Sequence, residues 1–191
     1  MPDKKEILNK FKKRGIQSVL FDMDSTLIDT NTYYRKETIR VLKTVLKKLY
    51  ENPSEDELDE MVSKIIHIMT QEYRERGKPG LIYIQAIEAV KKYVKQYYTG
   101  EKIKFNIDRV ITDLYKGFYL ISPEMYPSTL EILRTLHEID LPIGVYSHAQ
   151  KSWTKIKVDM IKEKHDDKYG ENLTLPFFTT DIEDEKDPKG W

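Results

Sequence analysis

SVLFDMDSTLID, residues 18–29, is the stretch whose reading decides the fold. Val19, Leu20 and Phe21 form an apolar run of the length of a buried strand. The run ends in Asp22 and Asp24, with Ser25 and Thr26 directly behind them. Two carboxylates one residue apart at the end of a buried strand repel each other and resist desolvation. The pattern therefore asks for a compensating charge, and a bound cation is the expected one.

Upstream, residues 4–14 read as a short basic amphipathic helix that packs Ile7, Leu8 and Phe11 and stops at Gly15. Downstream, the pattern is helical almost without interruption from Thr30 to Pro123. Ile39, Leu42, Leu46 and Leu49 share one face. Pro53 breaks the run, and Ser54 with Glu57 reads as a capping box for the next helix, with a stripe of Leu58, Val62, Ile65 and Met69. A third helix turns Ile84, Ile87, Val90 and Val94 inward, and a fourth carries Ile107, Val110, Ile111 and Leu114. These segments predict a helical bundle.

After the bundle, Ser128 and Glu131 read as a second capping box, opening a helix to about Ile139. Residues 141–146 read as a second buried strand, ending at Ser147. A helix follows from about Ala149 to Lys164, and residues 175–180 make a weaker third strand. Strands alternating with helices predict an α/β core with a parallel sheet, in which ligands bind beyond the carboxyl ends of the strands. Asp22, Asp24 and Ser147 all fall at those ends.

The 191 residues suffice for one domain, or for a core carrying an inserted subdomain. Lys and Arg number 32, as do Asp and Glu, so the net charge is zero and no general attraction to nucleic acid or anionic membrane is expected. With no cysteine, disulfides and thiolate chemistry are excluded. No apolar stretch is long enough to span a bilayer, and the first residues lack the apolar core of a signal peptide, so a cytoplasmic protein is expected.

Asp22-Met23-Asp24-Ser25-Thr26, with its preceding strand, resembles the first motif of the haloacid dehalogenase superfamily. Residues 125–147, ending at Ser147, are similar to the segment that leads to the second motif. Residues 185–191, with Lys186 and Lys189, are similar to the third. The resemblance implies a Rossmann-like parallel-sheet core formed by residues 1–29 and 124–191, with residues 30–123 as an inserted helical cap. It further implies a Mg²⁺-dependent phosphatase acting on a small phosphorylated metabolite, with a phosphomutase or a catalytically silent binding module as alternatives.

On this resemblance Asp22 is the nucleophile and Asp24 the general acid and base, with Mg²⁺ on the Asp22 carboxylate and the Asp24 main-chain carbonyl. Dehalogenase members lack an acid at the position of Asp24, which favours phosphoryl chemistry. Ser147 would bind a phosphate oxygen, with His148 beside it and Thr26 as a structural hydrogen bonder. Lys186 is the expected lysine, by its offset from Trp191, and Lys189 is the alternative. The acids of the family's fourth motif have no counterpart before Trp191. The expectation is a core truncated at its C-terminal end, with on the order of 30 to 50 further residues in the native protein and the first strand at a sheet edge.

Overall fold

The computed structural model describes residues 3–76, 81–100 and 102–180. Within them run α1 (Lys4–Lys13), β1 (Val19–Asp22), α2 (Thr30–Leu49), α3 (Glu55–Arg76), α4 (Ile82–Tyr97), α5 (Ile107–Tyr115), a single 3-10 turn (Phe118–Leu120), α6 (Thr129–Glu138), β2 (Ile143–Ser147), α7 (Lys151–Tyr169) and β3 (Phe177–Thr179). The three strands form one parallel sheet in the order β1-β2-β3. The expected α/β core is therefore present. β1 pairs only with β2 among the described residues.

The chain divides into two compact units. The first comprises residues 1–33 and 120–191, the second residues 34–119.

In the first unit, Val19 pairs with Ile143 and Asp22 with Tyr146, while Tyr146 pairs with Phe178. Strand side chains alternate between faces. Ile143 and Val145 join Met23, Leu133 and Leu136 of α6, and Val158 and Ile161 of α7, in one core. Leu20 and Phe178 belong to the other face and are each 60% exposed. Gly144, on the central strand, is closely flanked on both sides: a Cβ there would meet Leu20 Cδ1 at 3.3 Å and the Pro176 carbonyl at 3.4 Å. Phe11 of α1 packs on the same core, and Lys4 pairs with Glu138 of α6. Gly170, at φ +69°, ends α7 by donating its amide to the Asp166 carbonyl.

In the second unit, α4 packs against both α3 and α5. The expected stripes of α2 and α3 are buried at Leu42, Leu46 and Leu49 and at Leu58, Val62 and Ile65. The inward face of α4 includes Val90 as expected but not Ile84. Ile82, Ala86, Ala89, Val90 and Tyr93 are buried, whereas Ile84 is 38% exposed. A helix held between two others buries small residues, because alanine lets neighbouring backbones approach. In α5, Ile111 and Tyr115 are the buried residues.

The Ser54–Glu57 capping box forms as expected: Glu57 accepts from the Ser54 amide at 2.8 Å and donates its own amide to Ser54 Oγ at 3.3 Å. The second box does not form. Ser128 is helical in conformation and makes no side-chain cap bond.

Candidate active site

The site is built where β1 leaves the sheet. Asp22 is the last residue of β1, and the Met23 amide still donates to the Tyr146 carbonyl at 3.1 Å. Met23 is fully buried in the core. The chain then turns sharply. The Leu27 and Ile28 amides both donate to the Met23 carbonyl, and the Ser25 amide donates to the Ile28 carbonyl at 2.8 Å. Ser25 adopts φ +62°, a left-handed conformation that non-glycine residues enter at a cost. This turn gives the two aspartates different surroundings.

Asp22 is exposed and, among the described residues, accepts one hydrogen bond, from Thr26 Oγ1 at 3.3 Å. Asp24 is gathered in. Its Oδ1 accepts from Thr30 Oγ1 at 2.6 Å and from Lys157 Nζ at 2.5 Å, and its Oδ2 accepts from Ser147 Oγ at 3.1 Å. Ser147 Oγ in turn accepts the Ala149 amide at 3.0 Å. Charge-assisted bonds of this kind are stronger than neutral ones, and three donors around one carboxylate hold it firmly.

Lys157 lies on α7 and is fully buried. Its ammonium sits 3.6 Å from the centroid of the Trp153 ring. Burial pushes its pKa below the ordinary lysine value, and the negative charges of Asp24 and then Asp22 oppose that shift. A buried charge is tolerable only when paired and hydrogen-bonded, and Asp24 supplies the pairing.

The structure thus places Asp22, Asp24, Thr26 and Ser147 together at the carboxyl end of the sheet. Ser147 is fully buried, and its hydroxyl lies in the Asp24 network. His148 is exposed, with Nδ1 3.3 Å from Thr180 Oγ1 and its ring edge-on to Tyr146. Lys186 and Lys189 lie outside the described residues. Lys157, Thr30 and Trp153 were not anticipated from the sequence. A signal for Lys157 existed: Trp153, Lys157, Ile161 and His165 recur every four residues, which puts a lysine inside an apolar stripe.

The donor set can be tested against Mg²⁺. Both oxygens of the Asp24 carboxylate already accept hydrogen bonds. The Asp22 carboxylate is exposed, and none of the turn's backbone bonds ends on the Asp24 carbonyl. Among the described residues no cluster of three or more histidines or acids is placed to hold an ion. One carboxylate and one carbonyl, completed by water and a phosphate, is a set that suits Mg²⁺, which keeps several waters and takes few protein ligands.

The chain belongs to the haloacid dehalogenase-like hydrolase family, whose model matches residues 19–166. No curated protein matches it. Among solved structures it is similar to a candidate phosphoglycolate phosphatase from Lactobacillus delbrueckii subsp. bulgaricus, at 12% identity and TM-score 0.42, over 86% of this chain and 64% of that one. It is also similar to an L-2-haloacid dehalogenase, at 13% identity and TM-score 0.39, over 86% of this chain and 78% of that one. A third structure, described as a dehalogenase, has 10% identity and TM-score 0.36, over 84% and 75% of the two chains. No helix among the described residues is long and apolar enough to cross a membrane.

Proposed function

We propose that the protein is a Mg²⁺-dependent phosphatase that hydrolyses a small phosphorylated metabolite through an aspartyl-phosphate. The observation that carries this reading is the difference between the two aspartates: Asp22 is exposed and lightly bonded, whereas Asp24 is fixed by Lys157, Thr30 and Ser147. A nucleophile must be accessible, and an acid must be held in place and connected to a proton source.

In the first step an Asp22 oxygen attacks phosphorus and the bond to the leaving oxygen breaks. Asp24, in its protonated form, gives that oxygen its proton. Lys157, whose ammonium lies 2.5 Å from Asp24 Oδ1, holds that side chain in place. In the second step Asp24 takes a proton from water as the water oxygen attacks the aspartyl-phosphate. Inorganic phosphate leaves and the Asp22 carboxylate is regenerated. The Asp22 carboxylate and the Asp24 carbonyl would hold Mg²⁺, which would supply charge neutralisation between carboxylate and phosphate. Lys157 neutralises Asp24 and Ser147 orients it, while Lys186, or Lys189, keeps the role of the lysine that neutralises the nucleophile and phosphate.

The test is phosphate release from an aryl phosphate, with Mg²⁺ and with chelator, by the parent chain and by Asp22→Asn. The reading expects Mg²⁺-dependent release that falls by roughly 10³-fold or more in the variant. Release that survives in Asp22→Asn would sink the aspartyl-phosphate. No release by the parent would favour a silent binding module.

A further inference from the structure

A lysine ammonium has three N–H donors and is strongly hydrated in water. Lys157 is fully buried, so water does not solvate it. One donor is satisfied by Asp24 Oδ1 at 2.5 Å. Also close is the face of Trp153, one helical turn earlier on α7, with its ring centroid 3.6 Å from Nζ. Residues four apart on a helix lie over one another, so the indole forms a platform beneath the ammonium. Tryptophan is the best aromatic partner for a cation, and the attraction grows when both are desolvated.

The platform is itself fixed. Trp153 is 2% exposed, and its Nε1–H donates to the Ile121 carbonyl at 3.0 Å. Ile121 lies in the segment by which the chain re-enters the first unit, which resumes at Leu120. A phenylalanine could offer a ring face but not this second bond. The indole thus connects that segment to the lysine on Asp24.

We propose that Trp153 is a positioning residue: its indole, pinned by Nε1–H to the Ile121 carbonyl, holds the Lys157 ammonium against Asp24. It touches neither phosphate nor the reacting oxygens and acts through Lys157. The kinetic part of the proposal rests on the phosphatase reading above, but the positioning part does not.

The test is the ammonium signal of Lys157 in protein labelled with ¹⁵N-lysine, identified by its absence in Lys157→Arg. The parent should show one ammonium protected from solvent exchange. In Trp153→Leu, with the amide spectrum showing an intact fold, that signal should be lost or averaged with the solvated lysines. In Trp153→Phe, which keeps a ring but loses the pin, it should persist and exchange about tenfold faster. No protected ammonium in the parent, or an unchanged one in either variant, overturns the proposal. The Phe variant decides the matter if the Leu variant fails to fold.

On the aryl phosphate, Trp153→Leu should lower kcat about tenfold with KM unchanged. It should cost less than about twofold more when added to Lys157→Met. Full additivity would show a separate, merely structural role and would overturn action through the lysine. If the parent releases no phosphate, the phosphatase reading fails while the ammonium signal still decides the positioning role.

Discussion

Asp22 and Asp24 are separated only by Met23, yet among the described residues one carboxylate is exposed with a single hydroxyl donor and the other is held by an ammonium and two hydroxyls. The cause is local. Met23 is drawn fully into the core, and the left-handed turn at Ser25 carries the chain back beside β1. Asp24 is thereby aimed at α7, where Lys157 is buried. Two acids of the same type thus have environments suited to different chemical work, the general way in which a site separates nucleophile from acid.

The Lys157–Asp24 pair is unequal in burial: the lysine side chain is fully buried and the aspartate side chain 28% exposed. Removing either partner therefore has unequal cost. Asp24→Asn leaves a buried ammonium without a counter-charge and should destabilise by about 3–5 kcal/mol near neutral pH. Lys157→Met leaves a carboxylate that water can reach and should cost less, about 1–3 kcal/mol. The folded-state pKa of Lys157 lies below the ordinary lysine value. Between the two values the unfolded chain binds more protons, so stability rises with pH there. The Asp24→Asn deficit should accordingly narrow as pH is raised toward about 10. Urea unfolding of both variants across that range measures it. A larger loss for Lys157→Met would contradict the assignment of burial as the cause.

Ser25 holds φ +62° between the two site residues Asp24 and Thr26. Glycine enters this region without the steric cost that a Cβ imposes. Ser25→Gly should leave stability unchanged or raise it by up to about 1 kcal/mol, the gain in turn geometry being offset by extra freedom in the unfolded chain. Ser25→Val, β-branched, should destabilise by about 2 kcal/mol or more, and should slow turnover through displacement of Asp24. Thermal unfolding together with aryl phosphate turnover checks both.

The paired aspartates were legible in the sequence because a short apolar run that ends in two carboxylates has few physical solutions. Lys157 was not, because its position depends on which face of α7 meets the sheet. The surrounding Lys and Glu make one more lysine inconspicuous unless the four-residue spacing from Trp153 to His165 is counted. Lys186 and Lys189, which the family resemblance singles out, lie outside the described residues. On α4, Val90 is buried as its spacing predicts, whereas Ile84 is not, for a related reason. Hydrophobic size singled out Ile84, whereas the helix, lying between α3 and α5, buries Ala86 and Ala89.

Ala86 is fully buried and Ile84 is 38% exposed. Ala86→Leu inserts volume where α4 is tightly packed and should destabilise by about 1–3 kcal/mol. Ile84→Lys places a charge on the exposed face and should shift stability by no more than about 0.5 kcal/mol. The reverse order, read from denaturant midpoints, would restore the face expected from hydrophobicity alone.

Tyr115, 1% exposed on α5, donates its hydroxyl to Thr38 Oγ1 at 3.3 Å. Burial is the main cause pushing its phenol up to about 12, and Thr38 opposes the shift. The folded protein therefore keeps this proton after the unfolded chain, with its ordinary value near 10, has released it. The unfolded state binds fewer protons in that window, so stability falls as pH rises from about 10 to about 12. At about 1.4 kcal/mol per unit, the loss from this one group is up to about 3 kcal/mol. Tyr119, also pushed up to about 12 by burial, adds a decline of the same sign. Tyr115→Phe leaves the Thr38 hydroxyl without its donor and should cost about 1 kcal/mol at neutral pH. It should also remove the Tyr115 share of the alkaline decline, so that the variant closes the gap on the parent above pH ~10. Urea midpoints of both proteins at about pH 8 and about pH 11 give the comparison. Parallel losses in the two would show that Tyr115 ionises no later in the folded chain than in the unfolded one.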